Sequence, residues 1–191
     1  MLSSTQPPKL NRTNYRNFIY TNMKKLLLLL TIALFLLACN EQTKQETIPS
    51  QDWSKKFVDI PPLDSLEYGK SYLSVYSQIY SADDKRVTNL TAMVSLRNTS
   101  DLDTIYLLKA TYYDTYGALV RTYFDKPVFL APMETTEIII NLTDVSGGTG
   151  SNFLFEWKTP IGCPEPLFEG IMNSTKGQQG LSFSTQAKRI K

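Results

Sequence analysis

From Tyr68 onward the apolar residues recur at every second position, and no stretch carries them convincingly at helical spacing. Successive side chains of a strand point to opposite faces, so this alternation specifies half-buried strands. In "SYLSVYSQIY", Leu73, Val75 and Ile79 face one way with Ser77 between them, and Tyr72, Tyr76 and Tyr80 line the other. "NLTAMVSLRN" sets Leu90, Ala92, Val94 and Leu96 against Thr91, Met93, Ser95 and Arg97. On that pattern Val94→Asp is costly, whereas Ser95→Asp is cheap because a one-residue step reaches the solvent or partner side. "IYLLKATYYD" predicts Tyr106, Leu108, Ala110 and Tyr112 on one buried face. Asp114-Thr115-Tyr116-Gly117 has the carboxylate-first, glycine-fourth signature of a type I turn, with "ALVRTYF" as the returning strand. Thr136, Ile138, Ile140 and Leu142 alternate, as do Phe153, Phe155 and Trp157; "FEGIM" and "GLSFS" are shorter candidates. About seven to eight short strands with turns between them predict an all-β, antiparallel, immunoglobulin-like sandwich over residues 68–191.

A different pattern occupies the N-terminal part. In "MKKLLLLLTIALFLLAC", Met23 to Cys39, two lysines precede an apolar run from Leu26 to Leu37. About 12 residues at about 1.5 Å each reach roughly 18 Å, short of a hydrocarbon core of about 30 Å. The run therefore suits a signal-peptide core better than a spanning helix. Leu36-Leu37-Ala38-Cys39 resembles the bacterial lipobox, which implies a signal peptide over 23–38 and lipidation of the Cys39 thiol. Membrane lipid, held through acylated Cys39, is then the first expected partner. Residues 1–22 are polar, lack periodicity and precede a complete signal, so Met23 reads as the initiator. Residues 39–67 read as a polar tether, on which Trp53, Phe57 and Leu63 could still dock on the domain.

Charge follows the same division. Lys9, Arg12, Arg16, Lys24 and Lys25 account for five of the 20 basic residues, and no acidic residue precedes Cys39. The remaining 15 basic residues face 18 acidic ones, a net of −3, so the overall basic balance belongs to targeting rather than to nucleic-acid binding. With Cys39 used by lipid, Cys163 has no partner for a disulfide. The chain contains no histidine to activate that thiol, so a small packed thiol is the reading for Cys163. "SGGTGSN", Ser146 to Asn152, lacks the following helix of a phosphate cradle and reads as glycines serving a hairpin connection. Asn98, Asp101 and Asp103 offer oxygen ligands without calcium-loop spacing and read as a solvated turn. Asp83-Asp84 beside Lys85-Arg86 reads as a charged hairpin tip. No catalytic residue, metal site or cofactor emerges from these patterns.

"VSLRNTSDLDTIYLLKATYYDTYGALVRTYFDKPVFLAPMETTEIII", "SGGTGSNFLFEW", "EPLFEGIMNS" and "GQQGLSFSTQAKRI" together resemble the bacterial family called domain of unknown function 3124, from Gly69 to the C-terminus. The resemblance implies an envelope protein, often a lipoprotein, and supplies no functional residue. Three function classes follow: an envelope structural or protein-interaction module, a module binding carbohydrate or a small ligand through its tyrosines, and, least favoured, a hydrolase with paired carboxylates. The first is preferred, with an envelope protein as partner. One substitution and one deletion test the address. Cys39→Ser should abolish fatty-acid labelling, and deletion of residues 1–22 should leave export unchanged. A mature chain beginning elsewhere than Cys39 would refute the lipoprotein reading.

Overall fold

The alternating stretches pair antiparallel into two facing sheets and a separate hairpin. The computed structural model describes residues 18, 20–29, 51–60, 65–176 and 179–191. The strands are β1 (Leu66–Ser74), β2 (Gln78–Ser81), β3 (Asp83–Asn89), β4 (Thr91–Arg97), β5 (Ile105–Tyr113) and β6 (Leu119–Phe124). They continue with β7 (Val128–Leu130), β8 (Thr135–Ile140), β9 (Asn152–Pro160), β10 (Leu167–Lys176), β11 (Gln179–Gln186) and β12 (Lys188–Arg189). One sheet runs β12-β1-β9-β5-β6, with β7 also paired to β5; the other runs β11-β10-β4-β8. Strands β2 and β3 form their own hairpin. The fold is thus the expected all-β antiparallel sandwich.

By contacts the chain divides into Met1–Ile48 and Pro49–Lys191. In the first unit residues 20–29 are helical, Leu26 to Leu29 are exposed, and the Lys24 ammonium lies 4.6 Å from the Tyr20 ring centre. No helix among the described residues is long and apolar enough to cross a membrane. Cys39 and Leu63 lie outside the described residues.

The core of the second unit forms where the two sheets meet. Phe153, Phe155 and Trp157 of β9 point inward and are fully buried. Phe155 stacks on Phe168 of β10 at 4.2 Å between ring centres, which joins one sheet to the other. Tyr112 of β5 extends the stack to Phe153 at 4.8 Å. Trp157 reaches sideways over β1, where its Nε1–H donates to the Ser71 hydroxyl at 3.0 Å. Gly69 makes that possible, since a Cβ there would lie 2.1 Å from the indole ring. Leu90, Ala92, Val94 and Leu96 of the β4 region are all buried, as their alternation requires.

Four local expectations differ from the structure. The stretch Tyr72–Tyr80 is two strands, because the backbone at Val75 and Ser77 turns aside to bond Ser151 and Leu90. Together with strands β3, β7 and β12, this break raises the strand total above the expected count. In β5 a bulge between Leu107 and Lys109 makes Leu108 an extra residue. Ile105, Leu107, Ala110 and Tyr112 therefore face inward, while Tyr106 and Leu108 are only half-buried. Strand β8 ends at Ile140, leaving Leu142 exposed in the following turn. Ser95 is fully buried rather than turned to solvent. It sits on the central strand β4 with Glu137 and Glu169 directly beside it, and the Arg97 guanidinium bonds Glu169 at 3.0 Å. Long neighbours close over the small hydroxyl.

That burial reverses the expected tolerance of Ser95. A carboxylate there would stand between two glutamates in a covered position, so Ser95→Asp should cost about 3 kcal/mol or more, as Val94→Asp should. Ser95→Ala should change stability by no more than about 0.5 kcal/mol, because the hydroxyl has no hydrogen-bond partner to lose. Gly69→Ala should cost about 1–3 kcal/mol by forcing Trp157 out of place. Urea denaturation monitored by circular dichroism measures all four. A tolerated Ser95→Asp would contradict the packing described.

Candidate functional site

The outward rows of the six-stranded sheet follow directly from its register. One row reads Tyr68, Lys158, Tyr106 and Phe129 across β1, β9, β5 and β7. The next reads Lys70, Glu156 and Lys109, and a third reads Lys188, Tyr72, Leu154 and Thr111. Four lysines thus share this face with one glutamate. Glu156 pairs with Lys70 at 3.4 Å; among the described residues Lys109, Lys158 and Lys188 carry no ion pair. Burial raises the pKa of the Tyr68 hydroxyl, and the adjacent Glu156 carboxylate adds to the rise, so the phenol stays protonated.

The open face of the four-stranded sheet has the opposite character. An apolar row, Ile171–Met93–Ile139, crosses β10, β4 and β8. Ile139 is 48% exposed, a high value for a large aliphatic side chain. The row is bordered by Asn173 and Thr91 on one side and by Glu169, Ser95 and Glu137 on the other. Its formal charge, with Glu137 and Glu169 against Arg97, is negative.

Segment 51–60, read above as part of the tether, lies against the sandwich. A 3₁₀ turn over Trp53–Lys56 begins after Asp52, whose carboxylate accepts from the Ser54 N–H. Trp53 packs on Phe124 at 4.7 Å, and Phe57 bridges to Val128 of β7. The Lys56 ammonium lies 5.0 Å from the Phe129 ring centre and pairs with Glu134. Sequence reading marked Trp53 and Phe57 as able to dock but missed Lys56, whose partner lies 78 residues away.

The other sequence candidates are absorbed by the framework. The Asn98 amide donates to the carbonyls of Asp103, Leu130 and Ala131 at 2.7, 3.1 and 3.0 Å, and its oxygen accepts from the Ser100 N–H. Asn98 therefore ties the β4–β5 crossover to the end of β7 as a structural cross-link. Among the described residues no cluster of His, Cys, Asp and Glu could hold a metal ion. The loop Ser146 to Asn152 joins β8 to β9, so it crosses between sheets instead of closing a hairpin. Its Gly147 and Gly148 carbonyls accept from Thr115 and Ser77, and a Cβ on Gly147 would lie 1.8 Å from the Tyr112 hydroxyl. Close packing, not phosphate, requires that glycine. Burial pushes the Cys163 thiol up, away from thiolate. Asp83 to Arg86 open β3 immediately after the left-handed Ala82 and are exposed, as a hairpin tip should be.

An antiparallel sandwich with two open faces of contrasting chemistry is the class of protein these observations define. The chain belongs to the family described as Protein of unknown function (DUF3124), whose model matches residues 68–190. No curated protein matches the chain. The solved crystal structure of Thermotoga maritima 1070 is similar, with 11% sequence identity and a TM-score of 0.41, over 63% of this chain and 92% of that one.

The Lys56–Glu134 pair gives docking of segment 51–60 a pH dependence. Burial raises the Glu134 carboxyl, but Lys56 and the Ala131 N–H outweigh it and hold it below its ordinary value of 4.5. A depressed carboxyl contributes stability above its unfolded value and loses it as pH falls through the folded one. Acidification below the ordinary carboxyl value of 4.5 should therefore expose Trp53 to acrylamide quenching before the sheet spectrum changes. Lys56→Met should show the higher quenching already at neutral pH. Quenching that rises only together with global unfolding would remove this role from the pair.

Proposed function

We propose that this chain is a membrane-anchored lipoprotein of the bacterial cell envelope, held by acylated Cys39, whose sandwich is a non-catalytic module binding an envelope protein. The observation that carries the reading is the apolar row Ile171–Met93–Ile139 on an open sheet face. Apolar side chains bordered by polar ones are the usual pattern of a protein-binding patch. Ile139 lies on β8, which ends its sheet among the described residues, and a partner strand can add at such an edge. The basic n-region, the apolar run and the lipobox-like ending at Cys39 support the anchor. The absence of histidine from the chain and the raised Cys163 thiol support a non-catalytic role.

Binding of carbohydrate or a small ligand is less well supported. Trp157 is fully buried, and Tyr68, Tyr72 and Tyr106 lie in flat rows across a sheet rather than around a cavity. A flat surface suits a macromolecular partner.

Crosslinking in intact envelopes followed by pull-down tests the proposal. The wild-type chain should capture a defined envelope protein, and Ile139→Asp should reduce that capture at least tenfold without changing circular dichroism. The side chain is half exposed, so the substitution leaves the core intact. Capture that is equal for the two chains would remove the face from the interaction, and absence of any partner would remove the function.

A further inference from the structure

We infer that the outer face of the six-stranded sheet is a docking surface for an anionic phospholipid membrane. The inference extends the proposed Cys39 anchor, which supplies proximity to the bilayer, but it names a second and separate contact made by the folded domain.

Charge complementarity is the first argument. Lys70, Lys109, Lys158 and Lys188 project from one face with Glu156 as the acidic residue among them, although the chain beyond Cys39 carries a net −3. The cationic excess is therefore local, and the opposite face carries Glu137 and Glu169 against Arg97. A sandwich polarised in this way orients itself over a negative surface within about one Debye length, roughly 8–10 Å at moderate salt.

Shape and side-chain type are the second. Strands about 4.8 Å apart spread the lysines over a patch about 15–20 Å across. A patch of that width engages many headgroups at once. Tyr72 and Tyr106 stand among the lysines, and both residue types place an apolar body against acyl chains while keeping a polar tip at the headgroups.

The third argument is where the chain enters. Segment 51–60 joins the domain at β7, on the edge of this same sheet, with Lys56 over Phe129 of the outer row. Segment 51–60 thus lies along an edge of the lysine-bearing sheet. With that face on the bilayer, the row Ile171–Met93–Ile139 looks away from it, toward an envelope partner.

The test is lysine footprinting of the full acylated chain. The chain is reconstituted in vesicles of phosphatidylcholine alone or with one-third phosphatidylglycerol, and treated with a membrane-impermeant amine-acylating reagent. Flotation with neutral vesicles reports the anchor; the pattern of modified lysines reports the face. In phosphatidylglycerol vesicles Lys70, Lys109, Lys158 and Lys188 should be modified at least threefold more slowly than in neutral ones. Lys85 on the β2–β3 hairpin should be unchanged, and 0.5 M salt should remove the difference. Lys109→Glu combined with Lys188→Glu should restore modification of Lys70 and Lys158. A chain that fails to float with neutral vesicles refutes the anchor alone; it must then still bind phosphatidylglycerol vesicles through this face for the inference to stand. Equal modification in both vesicle types overturns it. So does equal protection by soluble dextran sulfate, which would assign the face to an anionic polymer.

Discussion

Strand β9 is the constraint on which the rest of the sandwich depends. It lies between β1 and β5 from Asn152 to Lys158, so its inward residues have no alternative to the space between the sheets. Phe153, Phe155 and Trp157 fill that space, and Phe155 meets Phe168 ring to ring across it. Burying three aromatic side chains of this size is worth several kcal/mol against a total stability of about 5–15. The neighbours adapt to them: β1 carries Gly69 under the indole, Ser71 receives its N–H, and Tyr112 stacks on Phe153. The glycine-rich crossover is shaped by the same packing, because Gly147 leaves room for the Tyr112 hydroxyl.

With the inward row committed to the core, the outward row of every strand becomes the surface available for function. Register then decides which residues meet there. Lysines and tyrosines assemble on the six-stranded sheet, and an apolar row bordered by glutamates assembles on the four-stranded one. Segment 51–60 adds to the first sheet, since Trp53 packs on Phe124 of β6 and the backbone of Phe57 bridges to Val128 of β7. The family match begins at residue 68, so this docked segment lies outside it.

How much could be read in advance varied from element to element. Leu90 to Leu96 alternated without interruption and are buried as expected, and the Asp114 turn forms with its carboxylate accepting from Tyr116 and Ala118. In β5 alternation alone gives the wrong phase for Tyr106 and Leu108, because a bulge at Leu108 adds a residue that leaves no mark in local composition. Ser95 departs from its alternation for another reason: its own strand is half-polar, but Glu137 and Glu169, 42 and 74 positions away by their numbering, lie beside it on the neighbouring strands. The two faces were equally hidden. Lys70, Lys109, Lys158 and Lys188 are scattered through the chain, and only strand pairing gathers them.

By itself the sequence determined the class of structure and the elements that build it. Period-two alternation cannot bury a helical face, the turn residues set where strands end, and the ordered motifs already marked the family. It also carried the apolar run and cysteine on which the proposed anchor rests. Tertiary structure alone decided which strands lie side by side, and therefore the bulge in β5, the covering of Ser95, the inter-sheet path of the glycine-rich loop and the chemistry of each open face. The physical reason is that these properties belong to contacts between residues distant in the chain. Alternation states that a side chain turns in or out, but hydrogen-bonded register states what it turns toward.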